Sequence, residues 1–171
     1  VIQKKVCLLG GFGVGKTSLV SRFVHSIFSD KYLTTIGVKI EKKSVSLHDA
    51  QVEMVIWDMY GNDDYQKLRT SYLRGASGYL LVADGTRRET LDTAIEVQRL
   101  AEAALGRVPF IFAVNKSDLR DQWEIDEDAL ESRRRAGWRV LETSAKTGVM
   151  VEGAFATLAR DMVAVERQEL R

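Results

Sequence analysis

One cysteine and one proline occur in 171 residues, and the charges nearly cancel, 25 Lys and Arg against 24 Asp and Glu. A lone Cys7 excludes an internal disulfide framework and a thiolate metal cage. Set in the apolar run 6–9, it reads as a small buried hydrophobe. The formal net charge of +1 excludes a broad basic surface, and with it nucleic acid as a principal partner. The compact basic cluster Arg133, Arg134 and Arg135 lies beside Asp126, Glu127, Asp128 and Glu131, which marks a solvated helix face. No apolar run is long enough to span a membrane, so no membrane contact is evident. The first residue is Val1 rather than methionine, which reads as a trimmed chain. With 45 % hydrophobic and 29 % charged residues, a single domain over 1–171 with a sizeable core is expected, as a monomer.

What the chain does have is concentrated near its start. The run Val6-Cys7-Leu8-Leu9 reads as a strand, and glycines follow at 10, 11, 13 and 15 before Lys16-Thr17-Ser18 opens an amphipathic segment. Strand, glycine loop and helix in the spacing Gly10-x4-Gly15-Lys16-Thr17 form a phosphate-binding loop. The backbone N–H groups of Gly11, Phe12, Gly13, Val14 and Gly15 can turn inward around phosphate oxygens, and the helix N-terminus adds partial positive charge. Lys16 can reach the terminal phosphates. The Thr17 hydroxyl suits Mg²⁺, a hard cation usually held together with substrate phosphate. The loop specifies a nucleoside triphosphate and leaves the base open.

Leu19, Val20, Phe23, Val24 and Ile27 recur at helical spacing, and Phe28 ends that face either as a core aromatic or beside a bound base. After a polar loop over 29–37, residues 38–47 and 52–57 read as a hairpin turning at His48-Asp49-Ala50, with Lys39, Lys42 and Lys43 marking an edge strand. Asp58-Met59-Tyr60-Gly61 is expected just past the second strand, where Asp58 can hold Mg²⁺ directly or through water and Gly61 can approach a third phosphate. A helix is expected over 64–74, then a central strand over 79–83 ending at Asp84. The segment 88–105 reads as a helix with Leu91, Ala94, Ile95, Val97, Ala101 and Ala104 inward, and Pro109 leads into another central strand over 110–114. Asp126 caps a helix that Gly137 stops, with an Ile125–Leu130 staple. A last strand centres on Val140-Leu141, and a final helix carries Val151, Ala154, Phe155, Leu158, Met162 and Val165 toward the sheet.

Asn115-Lys116-Ser117-Asp118 names the base. A carboxylate can accept both the ring N1–H and the exocyclic amine of guanine, whereas adenine would oppose it with an acceptor. Asn115 can bridge structural groups or meet the purine, and the Lys116 stem can cover the ring while its ammonium stays in water. Glu142-Thr143-Ser144-Ala145-Lys146 can offer a backbone N–H to the purine carbonyl.

Taken together, G-G-F-G-V-G-K-T-S, T-T-I-G-V, W-D-M-Y-G, N-K-S-D and E-T-S-A-K resemble the Ras-like small GTPase superfamily, most closely its Rab-type branch. The resemblance implies an α/β P-loop NTPase fold, a six-stranded mostly parallel sheet flanked by about five helices. It implies GTP or GDP and Mg²⁺ as ligands. Lys16, Thr35, Gly61 and Asn62 would be the catalytic group, and Thr17, Thr35 and Asp58 the metal group. Residues 11–18, Ser18 included, would hold the phosphates, with Phe28, Tyr32, Thr34, Thr35 and Gly61 completing the nucleotide contacts. Asn115, Lys116, Asp118 and Leu119 would read guanine with Ser144, Ala145 and Lys146. Residues 30–38 and 58–73 would meet exchange factors, activating proteins or effectors. A cytoplasmic location follows, peripheral to a membrane where the full-length protein has a lipidated tail.

Three residues depart from the family pattern. Asn62 stands where a glutamine usually orients the attacking water, and its amide falls about 1 Å short, enough to cost roughly a hundredfold. Phe12 can project over the terminal phosphate and obstruct an arginine finger worth about 10³–10⁵ in rate. Tyr60 replaces a small residue and either restricts switch closure or covers the site. Slow intrinsic GTP hydrolysis is the expectation; the alternative is a nucleotide-binding interaction module that scaffolds partners with negligible hydrolysis.

Overall fold

The computed structural model of the chain describes residues 1–29, 37–60 and 70–170. Six strands form one sheet: β1 (Ile2–Gly10), β2 (Gly37–Ser46), β3 (Gln51–Tyr60), β4 (Gly78–Asp84), β5 (Phe110–Asn115) and β6 (Val140–Thr143). Their order is β2-β3-β1-β4-β5-β6, with only the β2–β3 pair antiparallel. Five α-helices are found among the described residues: α1 (Lys16–His25), α2 (Thr70–Leu73), α3 (Glu89–Leu105), α4 (Glu127–Arg135) and α5 (Val151–Glu169). This is the architecture expected of a P-loop NTPase fold. The lysine-bearing β2 is an edge strand, as its charges predict.

The apolar runs of the inner strands are buried on both faces, the requirement for a parallel sheet between helix layers. On one face Val6, Leu8, Leu80, Val82, Ile111 and Ala113 pack with Phe23 of α1 and Phe155, Leu158 and Met162 of α5. On the other, Cys7, Leu9, Leu81, Phe112 and Val114 pack with Leu91, Ala94 and Val97 of α3 and Leu130 of α4. Each fully buried Leu or Phe contributes about 1.5–3 kcal/mol. Stacking of Phe23 on Phe155, centroids 4.0 Å apart, joins α1 to α5.

Local chemistry sets the helix ends. Asp126 accepts the Ala129 N–H at 2.8 Å, and Ile125 and Leu130 lie buried in one cluster, giving the predicted cap and staple. Arg134 pairs with Glu127 and Glu131, Arg135 with Glu131, and Arg133 covers Trp138, so the basic cluster is a braced surface. Cys7 is fully buried, and burial pushes its thiol up to about 12.

Several boundaries differ from expectation, beginning with β1, which starts at Ile2 rather than Val6 because Ile2 to Lys5 pair with Val52 to Val55 of β3. Helix α1 stops at His25 because Ser26 adopts a left-handed conformation and donates its N–H to Arg22 O, which turns Ile27 out to solvent. The apolar stripe of α3 closes at Ala101, and Ala104 is exposed. Residues 117–122 form a 3₁₀ segment where no element was expected, opened by Lys116 in the left-handed region. Strand β3 continues through Asp58 to Tyr60, because Lys39, Val38 and Gly37 of β2 keep pairing with Asp58, Met59 and Tyr60. Of the helix expected over 64–74, residues 64–69 lie outside the described residues, and α2 covers Thr70–Leu73.

Tyr72 closes the point where β1 and β3 separate. Their last paired residues are Leu8 and Asp58. The buried Tyr72 hydroxyl lies 3.0 Å from the Leu8 carbonyl and 2.5 Å from the Trp57 carbonyl, two acceptors for its one proton, and it takes the Met59 N–H at 3.3 Å. Burial raises the phenol well above its ordinary value, so it remains a donor. Tyr72→Phe should lower stability by about 1–3 kcal/mol by stranding these backbone groups; a shifted urea midpoint with unchanged slope is the expected readout.

Candidate functional site

The carboxyl ends of the parallel strands carry nearly every described residue singled out by sequence. Gly10 ends β1, Asp84 ends β4, Asn115 ends β5 and Thr143 ends β6, while Asp58 lies near the end of β3. Strand order reverses about β1, and such a reversal opens a crevice at this edge.

The glycine loop rises from β1 into α1. Gly15, at φ 108°, is the N-cap of α1, which has no side-chain cap and no acidic residue in its first turn. The first N–H groups of α1 therefore suit an anion. Lys16 Nζ spans the loop to Gly10 O at 2.8 Å. Val14 is fully buried, so its side chain serves the core while its backbone shapes the loop. The Ser18 hydroxyl reaches the Ser29 carbonyl at 3.5 Å. Phe12 is 37 % exposed and Phe28 38 %, so neither is a core aromatic.

Asn115 holds the loop from below. Its Nδ2 donates to Val14 O at 3.1 Å, and its Oδ1 accepts from the Thr143 hydroxyl and the Ala145 N–H, each at 3.2 Å. A Cβ on Gly15 would fall 2.2 Å from Asn115 Nδ2, so this approach needs glycine. Of the two readings of Asn115, the bridging one matches these contacts, and the Ala145 N–H is spent on Asn115. Ser144 donates its hydroxyl to Asp118 Oδ1 at 2.7 Å, fixing the carboxylate while leaving acceptor capacity. Leu119 lies in the 3₁₀ segment directly after Asp118. Arg22 of α1 donates to the carbonyls of Ala145 (2.8 Å) and Lys146, bracing the last loop.

Two buried carboxylates flank β1 with opposite surroundings. Neither oxygen of Asp58 has a hydrogen-bond partner of ordinary geometry among the described residues. Burial raises its carboxyl, against a weaker pull from the Thr17 hydroxyl and the charges of Lys16 and Lys39. Asp84 is fully buried too, but hydrogen bonds from Lys116 and Thr86 overcome burial and hold it below the usual range. Lys116 Nζ sits 2.7 Å from Asp84 Oδ2, so the ammonium expected in water is paired with a buried acid. Trp123 Nε1 donates to the Lys116 carbonyl at 2.8 Å.

Asp84, Arg22, Thr143 and Trp123 were not singled out from sequence. Only Asp84 carried a signal, a charge closing an apolar strand beside Asn115. Tyr32, Thr34, Thr35, Gly61 and Asn62 lie outside the described residues. Tyr60 lies inside them: a Cβ on Gly37 would meet its hydroxyl oxygen at 2.4 Å and its Cζ at 2.6 Å, so the ring lies across the ladder against Gly37.

Sheet, loop and helix together define a P-loop NTPase fold. The family model described as Ras family matches residues 5–164, and the chain belongs to that family, in its Rab-type branch. It is 34 % identical to the Ras-related protein Rab-8B of Homo sapiens over 161 residues, 93 % of this chain and 78 % of that protein. It is 33 % identical to the Ras-related protein Rab-13 of Canis lupus familiaris over 161 residues, 93 % and 79 % of the two chains. Identity to the Ras-related protein Rab-8A of Mus musculus is 33 % over 162 residues, 94 % and 78 %. Membership implies a nucleotide-binding GTPase switch that uses GTP, GDP and Mg²⁺ and meets regulators and effectors. Among the described residues no helix is long and apolar enough to cross a membrane.

The raised Asp58 carboxyl fixes a sign. An acid whose folded value exceeds its unfolded value makes the fold more stable as pH falls through the folded value, and its charge costs stability above it. Asp58→Asn should therefore stabilise metal-free protein by about 1–2 kcal/mol at neutral pH and flatten the loss of stability above the unfolded carboxylate range. Chelator-treated urea titrations at several pH values check this.

Proposed function

We propose that this chain is a guanine-nucleotide switch that hydrolyses GTP slowly. One observation carries the reading: a single sheet edge has an uncapped helix N-terminus and a buried Asp58, with no partner of ordinary geometry among the described residues, at one end, and Asp118 held by Ser144 at the other. The first suits phosphates and a hard cation, the second a base with two adjacent donors.

In this reading the N–H groups of residues 11–18 hold the phosphates, and Lys16 offers its charge to the terminal ones. Thr17 and Asp58, with Thr35, would hold Mg²⁺, whose chemistry is to neutralise charge between the last two phosphates. The buried oxygens of Asp58, without a partner of ordinary geometry among the described residues, fit that role. Asp118 takes the guanine N1–H and amine, Leu119, Ala145 and Lys146 line the base, and Phe28 meets its edge. Tyr32 and Thr34 reach the nucleotide from the first switch. Thr35 and Gly61 sense the third phosphate, and its loss releases them. Asn62 orients the attacking water poorly, which makes hydrolysis slow while Lys16 and the loop still stabilise transferring charge.

Residues 30–38 and 58–73 would present the two states to exchange factors, activating proteins and effectors. The exposure of Val38 and Ile40, opposite Met59 and Trp57 on one face of the ladder, supports partner contact there. A cytoplasmic setting, with a lipidated tail as the route to a membrane, completes the proposal, with the chain acting as a single monomeric domain over 1–171.

Single-turnover measurement with GTP and Mg²⁺ should give slow phosphate release, and Asn62→Gln should quicken it, by up to about a hundredfold. Release no faster than in an enzyme-free control over hours would leave the single-state interaction module. Asp118→Asn should shift preference from guanine toward xanthine nucleotides by replacing an acceptor oxygen with a donor; competition binding with the two diphosphates checks it.

A further inference from the structure

The Asp84 carboxylate is shared among three side chains. Its Oδ1 accepts the Thr86 N–H at 2.9 Å and the Thr86 hydroxyl at 2.7 Å. Its Oδ2 faces Lys116 Nζ at 2.7 Å and Arg87 Nε at 3.1 Å. The same guanidinium extends Nη2 to the Phe12 carbonyl oxygen at 2.9 Å. Its remaining contact, to Glu89 at 3.9 Å, is solvent-facing and adds little. Arg87 thus grips the tip of the phosphate loop while sharing one carboxylate oxygen with the lysine of the base-side loop. A planar fork of donors can serve both acceptors at once.

Peptide planarity gives the Phe12 contact a consequence. The Phe12 carbonyl and the Gly13 N–H belong to one trans peptide and point in opposite directions. With the oxygen fixed on Arg87, outside the loop, the Gly13 N–H is aimed to the opposite side. In the nucleotide reading that side holds phosphate.

We propose that Arg87 is a positioning residue for nucleotide retention: through Phe12 and Asp84 it couples the phosphate loop to the guanine-reading loop, so that nucleotide leaves when both ends loosen. The inference rests on the reading of this edge as a guanine-nucleotide site. Arg87 acts on the loop and does not itself touch the nucleotide.

Release of a fluorescent GDP analogue from Mg²⁺-loaded protein tests it. Wild type must first retain the analogue; failure there would refute the nucleotide reading itself. With retention established, Arg87→Gln should release it about tenfold faster, the loss of one charge-assisted hydrogen bond. Arg87→Lys keeps charge and bulk but cannot span both acceptors, and should release it about threefold faster. The effect should depend on phosphate, with GDP affinity falling several times more than GMP affinity. A fold merely loosened would weaken both alike. A wild-type release rate in either folded variant, or equal losses for GDP and GMP, overturns the proposal.

Discussion

One buried amide ties the site together. Asn115 donates to the phosphate loop at Val14 and accepts from Thr143 at the end of β6 and Ala145 just beyond it, so two separate stretches of chain converge on one side chain of a third. None of these polar groups has water as an easy substitute, so a missing partner would cost about 1–3 kcal/mol. The approach also dictates a residue it never bonds, since only glycine fits at position 15. Parallel strands make the convergence possible by ending together at one edge.

The two buried acids beside β1 divide the labour of that edge. Asp84 has all its hydrogen-bonding capacity answered from within the chain, and its charge is a permanent part of the fold. Asp58 is as deeply buried, yet neither of its oxygens has a partner of ordinary geometry among the described residues, so its charge is a cost in the isolated chain and, in the nucleotide reading, a place for a cation. A chain optimised for stability alone would not keep it. In the nucleotide reading, the contrast is one between scaffold and binding group.

Much of this was legible in the residues. Val6 to Leu9 and Tyr79 to Ala83, apolar without interruption, require cover on both faces and so a parallel sheet; the glycine spacing placed the loop, and Asp126 its helix. The missed parts are those set by contacts distant in sequence. The partnership of Lys116 with Asp84 spans thirty-odd residues and follows from strand register, which no local pattern encodes. The brace from Arg22 to Ala145 needs α1 and β6 placed first. Strand β3 was read too short because Asp58 looks unlike a strand residue; pairing with β2 outweighed its weak intrinsic preference and carried the strand on to Tyr60.

The contact between Tyr60 and Gly37 also limits how this sequence can drift. The ring fills the space a side chain at 37 would need, so neither position is free to change alone toward bulk. A residue 37 with a side chain must turn the Tyr60 ring aside or be matched by a smaller residue at 60, since the space it needs is held by the outer atoms of that ring. The two ends of the hairpin are thereby coupled in packing, and a chimera that brings a bulkier residue 37 from a relative must also make room at residue 60.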